Sequence, residues 1–172
     1  HELLSRYSAG LLALSACPKG EIATDLLEDR DDEALRTAGM YRDIFGADHY
    51  FLEVQNHGLT IEDKIRAKVL ELGRRTGIPV VATNDCHYLE KDHTDAQDVL
   101  ICIQTGKTVD EPNRMRALAG LHFRTPEEMV ELFPECPEAL RNTLAVAERC
   151  NLQMNFGKPL PQLPPVERRG GE

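Results

Sequence analysis

Short apolar runs alternate with longer amphipathic segments along the first hundred residues of this chain. Residues 10–16 and 50–55 are apolar runs that predict two strands. A third run follows Gly77-Ile78-Pro79, is rich in β-branched residues and predicts a fully buried strand ending in Asn84-Asp85-Cys86-His87. The intervening helices are predicted at about residues 21–28, 32–45, 60–75 and 94–105. This alternation predicts an α/β fold in which helical crossovers connect parallel strands.

Local signals mark the ends of two helices. Thr60 is predicted to be the N-cap of the helix at 60–75, with Asp63 as its acidic partner three residues later, and Gly77 is predicted to end this helix. Thr125 and the following Pro126 predict another helix start, with Glu128 completing a capping box.

The pattern changes after Thr108. The helix that begins at Pro126 and a second one at about residues 137–150 predict a small helical connector appended to the sheet. Residues 155–165 are rich in proline and predict a linker, followed by a disordered tail. We therefore predict three units: a sheet domain over residues 1–108, a connector over 109–154 and a linker and tail over 155–172.

The third predicted strand ends in residues that can bind a metal. On a strand, Asp85 and His87 would point to the same face, because side chains two positions apart do so. The carboxyl end of a parallel strand is also where α/β proteins carry their sites. A carboxylate beside an imidazole there is half of a site for Zn, Mn or Fe. On spacing alone, a lone Asp-x-His is common, and a turn in which Asp85 caps the next helix and His87 is half-buried stays open.

The ends of the other two predicted strands carry similar residue types. Cys17 follows the first strand, while Glu53 and His57 lie at the end of the second. Parallel neighbouring strands would bring these groups to one edge, where Cys, His and Asp are competent ligands once deprotonated. Taken singly, Cys17 has a simpler explanation as an inert thiol, and the other two as surface residues. We expect His93 and His122 to be solvent-exposed.

Composition narrows the class of protein. The net charge is -9, which argues against tight binding of duplex DNA by this chain alone. No apolar stretch reaches the roughly 20 residues needed to span a membrane, and no signal peptide is evident. Five cysteines without CxxC spacing argue against a disulfide framework, and they predict a cytoplasmic location.

Taken together, these segments resemble the polymerase and histidinol phosphatase (PHP) domain of bacterial replicative DNA polymerase III alpha subunits. The resemblance runs in order along nearly the whole chain. It is carried by residues 10–17, 50–58, 80–88, 103–108, 125–129, 142–143, 147–150 and 160–164. It implies part of a distorted (β/α) barrel of parallel strands, followed by a connector toward the polymerase palm.

The resemblance also implies roles for particular residues. The predicted metal ligands are Cys17, Asp85 and His87. Residues expected to line the site, without being counted as ligands, are Glu53, Asn56, His57 and Asn84. The family's opening His-x-His would lie before His1, so we expect the chain to be a fragment that is inactive in isolation.

The function implied for the parent protein is that of a DNA-directed DNA polymerase in chromosomal replication. Its PHP domain would be a metal-dependent phosphoesterase linked to 3′–5′ proofreading, with Mg serving the polymerase itself. The implied partners are DNA, the sliding clamp and a proofreading exonuclease, with no membrane. Two alternatives remain open: a stand-alone phosphatase of the histidinol-phosphatase type, and a non-catalytic scaffold that docks an exonuclease.

Overall fold

Three parallel strands form the sheet at the centre of the computed structural model, which describes residues 1–154 and 156–157. The strands are β1 (Ala13–Leu14), β2 (Tyr50–Val54) and β3 (Val80–Ala82), in the order β1-β2-β3. Ala13 is paired with Tyr50, and Leu52 with Val80. The predicted α/β class with parallel strands is therefore confirmed.

Seven helices connect and cover the strands in the described part of the chain. Their bounds are α1 (Glu2–Tyr7), α2 (Glu21–Leu27), α3 (Asp31–Phe45), α4 (Thr60–Thr76), α5 (Thr94–Thr105), α6 (Pro126–Leu132) and α7 (Pro137–Arg149). A 3-10 turn at Lys91–His93 precedes α5. Helix α1 was not predicted from the sequence. None of the helices described has the length and apolar character needed to cross a membrane.

Helix α4 covers the sheet between β2 and β3. Its buried residues Ile65, Val69 and Leu72 recur at helical spacing and so form one apolar face. Gly73 lies against β3, and a Cβ built there would be 2.8 Å from Cγ2 of Val80. Gly77 ends the helix with a φ of 71°, a left-handed conformation that glycine adopts without strain.

The start of α4 differs from the prediction by one residue. The N-cap is Leu59 rather than Thr60, and the acidic partner is Glu62 rather than Asp63. The Glu62 carboxylate accepts a hydrogen bond from the Leu59 backbone N–H at 3.4 Å. A leucine offers no side-chain acceptor, so only the carboxylate half of a capping box is present here. By contrast, the box predicted at the start of α6 is confirmed, with Thr125 accepting from the Glu128 N–H.

Helix α7 and the turn that precedes it pack against the sheet as part of its core. Phe133, Cys136 and Ala139 are at most 1% exposed and belong to the same buried cluster as the strands. The Asn142 side chain donates a hydrogen bond to the backbone oxygen of Val80 in β3 at 2.7 Å. Core residues thus lie on both sides of Thr108, and the predicted division there stays a prediction. The predicted linker at 155–172 lies outside the described residues, apart from 156–157.

Candidate functional site

Asp85 and His87 lie in a loop and not on a strand, which corrects the sequence prediction. Strand β3 ends at Ala82, and residues 83–88, called the site loop below, follow it. Strand alternation therefore does not bring the two side chains together. They are close because His87 Nδ1 lies 2.9 Å from the Asp85 backbone oxygen and 3.6 Å from its Oδ1. Both side chains are exposed to solvent.

The site loop is held by residues 120–124, called the clasp below. The His87 backbone N–H donates to the oxygen of Leu121 at 2.8 Å. Asn84 donates from Nδ2 to the oxygen of His122 at 2.7 Å and accepts from Arg124 Nε at 3.1 Å. Asn84 was predicted to line the site. Because its side chain bonds to the clasp through both its donor and its acceptor, it fixes the loop.

His122 is buried, so the expectation that it would be solvated is wrong. Its side chain is 6% exposed, and Nε2 lies 3.2 Å from Oε1 of Glu128 in α6. Burial follows from the parallel bridge between Tyr88 and His122, which draws the clasp against the site loop. The Thr125 N–H and His122 both lower the pKa of Glu128.

His57 forms a buried pair with Glu62. Each side chain is 3% exposed, and Nδ1 lies 2.7 Å from Oε1. The Asp85 backbone N–H donates to His57 Nε2 at 3.2 Å, so Nε2 must be unprotonated and Nδ1 must carry the proton. Both ring nitrogens are therefore engaged within the protein. Glu62 was missed by the sequence analysis, although a glutamate at the third position of a helix is a capping signal.

The ends of β1 and β2 meet around Glu53. Its Oε2 accepts from the Ala16 N–H at 3.1 Å, and its Oε1 accepts from the Thr83 hydroxyl. Cys17 is half-buried and lines a small pocket together with Glu53 and Gln55. The predicted meeting of the strand ends is thus observed for Cys17 and Glu53, with the Glu53 carboxylate used for hydrogen bonds inside the fold.

Asn56 connects the end of β2 to α6. Its Nδ2 donates to the oxygen of Leu132 at 2.9 Å, and its Oδ1 accepts from the Gly58 N–H at 3.2 Å. Across residues 1–154 and 156–157, no three His, Cys, Asp or Glu side chains are grouped so as to hold a metal ion. The ligand set of Cys17, Asp85 and His87 stays a prediction. The imidazole and carboxylate of the last two are donor types that a divalent metal such as Zn or Mn accepts.

Comparison with known proteins shows which proteins the sequence is similar to. A PHP domain model matches residues 1–57. The DNA polymerase III subunit alpha of Treponema pallidum (strain Nichols) is 43% identical over 160 residues, which is 92% of this chain and 14% of that protein. Over most of its length the chain is similar to DNA polymerase III alpha subunits. The corresponding subunit of Mycobacterium leprae (strain TN) is 40% identical over 165 residues, and that of Campylobacter jejuni is 36% identical over 171.

These alpha subunits are much longer than the chain, which spans about 14% of their length. The PHP match ends at His57, and the alignments to the alpha subunits cover more than 90% of the chain. The site loop and the clasp therefore fall in the part shared with these subunits. The resemblance on which the sequence analysis relied is confirmed.

Proposed function

We propose that the site loop supplies metal ligands in the PHP domain of a DNA polymerase III alpha subunit, with Asp85 and His87 as the ligand pair. The observation that carries this proposal is the contact from His87 Nδ1 to the Asp85 backbone oxygen at 2.9 Å. Metal-binding histidines commonly donate one ring N–H to a carbonyl or carboxylate, which leaves the other nitrogen as the ligand. Here that arrangement leaves Nε2 of a solvent-exposed imidazole available.

The chemistry of these donors limits the metal. A neutral imidazole nitrogen and a carboxylate suit Zn, Mn or Fe, and a Cys17 thiolate would favour the softer end of that series. A cation held there by Asp85 and His87 would supply Lewis acidity and would activate a water for phosphoester hydrolysis. The site loop holds the two ligands, and the clasp fixes the loop. Further ligands would come from other parts of the longer protein.

For the whole protein we propose DNA-directed DNA polymerase activity in chromosomal replication, which uses Mg. Its PHP domain would act in 3′–5′ proofreading, and its partners would be DNA, the sliding clamp and a proofreading exonuclease. The names of the relatives favour this proposal over a stand-alone phosphatase, since the relatives compared above are DNA polymerase III alpha subunits. A cytoplasmic location remains part of the proposal.

A non-catalytic scaffold is the second candidate. The internal hydrogen bonds of Glu53 and His57 favour it, because side chains satisfied within the fold are typical of a structural role. In that case the domain would serve as a platform for a separate proofreading exonuclease.

Elemental analysis of the full-length protein tests the metal proposal. We would measure Zn, Mn and Fe in the wild type and in the double variant Asp85→Ala/His87→Ala. The matched control is Asp92→Ala/His93→Ala, which removes a nearby exposed carboxylate and imidazole that are 4.0 Å apart. We expect metal to be lost from the first variant alone. Equal metal content in all three proteins would contradict the proposal and favour the scaffold.

If metal is lost as expected, a second assay addresses catalysis. The wild-type protein should remove a mismatched 3′ terminal nucleotide from a primer, and Asp85→Ala/His87→Ala should not. The polymerase reaction on a matched primer serves as the control for folding. Unchanged removal of the mismatch in a metal-free variant would separate metal binding from proofreading.

A further inference from the structure

We propose that His57 is a positioning residue for the site loop, because its buried imidazole holds the backbone of Asp85. This inference rests on the proposed function of Asp85 and His87 as metal ligands. It assigns His57 a specific task, acting on the ligands from inside the fold, where the resemblance implied only that it lines the site.

The support for the Asp85 backbone is built from buried groups. His57 Nε2 accepts from the Asp85 N–H at 3.2 Å, and the proton on Nδ1 is donated to Glu62 at 2.7 Å. The other Glu62 oxygen accepts from the His57 backbone N–H at 2.6 Å. The side chains of His57 and Glu62 are each 3% exposed, so water does not compete effectively for the hydrogen bond between them. Glu62 is in the first turn of α4, which anchors the imidazole to a long helix.

Asp85 transmits this support to His87. The Asp85 N–H is bound by His57, and the Asp85 backbone oxygen lies 2.9 Å from His87 Nδ1. One residue therefore has its two backbone polar groups bound by two different imidazoles, of which one is buried and the other exposed. Moving the Asp85 backbone would move its own carboxylate and would also turn the His87 ring. His57 thereby orients both proposed ligands without being one itself.

Two substitutions of His57 separate this role from simple pairing with Glu62. In His57→Asn, the side-chain amide replaces the Nδ1 donor to Glu62 but provides no acceptor for the Asp85 N–H. In His57→Gln, the amide oxygen reaches the position of Nε2 and keeps that acceptor, while the Nδ1 donor is lost. If His57 serves only to pair with Glu62, His57→Gln should be the more damaging substitution, because it loses the donor to Glu62. If His57 positions Asp85, His57→Asn should be the more damaging one, because it loses the acceptor for the Asp85 N–H.

Both variants are tested in the full-length protein with Zn²⁺ as the probe. We would measure affinity by competition with a chelator and follow hydrogen–deuterium exchange of the peptide covering residues 83–88. His57→Asn is expected to bind zinc about tenfold more weakly than wild type, as for other groups that orient a ligand, and to exchange faster at Asp85. His57→Gln is expected to stay close to wild type in both measurements.

The outcomes distinguish this inference from the proposed function. Wild-type zinc affinity in His57→Asn, or an equal loss in both variants with a lower unfolding temperature, would overturn the positioning role. If Asp85→Ala/His87→Ala binds as much zinc as wild type, the proposed function fails and exchange alone decides. Faster exchange in His57→Asn only would then still support the hold on Asp85, and equal exchange in both variants would overturn it.

Discussion

Replacing Gly73 by alanine tests how closely α4 approaches β3. The added Cβ would lie 2.8 Å from Cγ2 of Val80 and 3.2 Å from the backbone oxygen of Ile78. Neither neighbour gives way easily, because Val80 has a stiff χ1 and the oxygen belongs to the backbone. Overpacking of this kind costs about 1–3 kcal/mol. Alanine also stabilises a helix by about 1 kcal/mol relative to glycine. We therefore expect a net destabilisation of about 1 kcal/mol.

Gly39→Ala is the matched control. Gly39 is inside α3, and a Cβ built there meets nothing within 4 Å. The propensity gain is then unopposed, and we expect a stabilisation of about 1 kcal/mol. The two variants should therefore differ by about 2 kcal/mol in the free energy of unfolding, measured by denaturant titration of the 172-residue chain. Equal stabilisation by both substitutions would refute the close contact between α4 and β3.

Two further predictions concern the connections around the clasp. Thr125→Ala removes the hydroxyl that accepts from the Glu128 N–H. We expect the free energy of unfolding, measured by denaturant titration, to fall by about 1 kcal/mol. An unchanged denaturation midpoint would contradict the capping role. Arg114, followed by the Ala117 N–H, lowers the pKa of Asp98 from 3.8 to about 2. The unfolded chain binds more protons between these values, so this stabilisation is complete above the ordinary pKa and is lost as the pH falls toward about 2. In Asp98→Asn, the unfolding temperature should fall less than in the wild type as the pH is lowered from about 4 to about 2. The same dependence on pH in both proteins would contradict this assignment.

Much of the helical structure could be predicted because its signals are local. Predicted and observed bounds agree within a residue or two for α2, α3, α4 and α5, where apolar spacing acts together with terminal residues such as Gly77. The start of α4 was displaced by one residue for a clear reason. A hydroxyl is the usual N-cap acceptor, but here the Leu59 backbone oxygen accepts from the Glu62 N–H, and the Glu62 carboxylate accepts from the His57 N–H.

The candidate site was harder to predict because its geometry depends on distant residues. Asp85 and His87 were found through their type and their place after β3, but the site loop takes its shape from the clasp about 35 residues later. The burial of His122 has the same origin. The sequence of neither the site loop nor the clasp indicates that the two segments pair, so hydrophobic periodicity could not predict this contact. The role of Glu62 depends on a contact with His57 that only the folded chain brings about.

The clasp has a consequence for how this region can be dissected. A protein cut at Thr108 would keep all three strands, both proposed loop ligands and His57, yet the site loop would lose its partners at Leu121, His122 and Arg124. It would also lose α7, which covers β3. Residues 109–149 therefore supply contacts on which both the site loop and β3 depend. Transplanting the ligand pair into another scaffold would require moving both chain segments together.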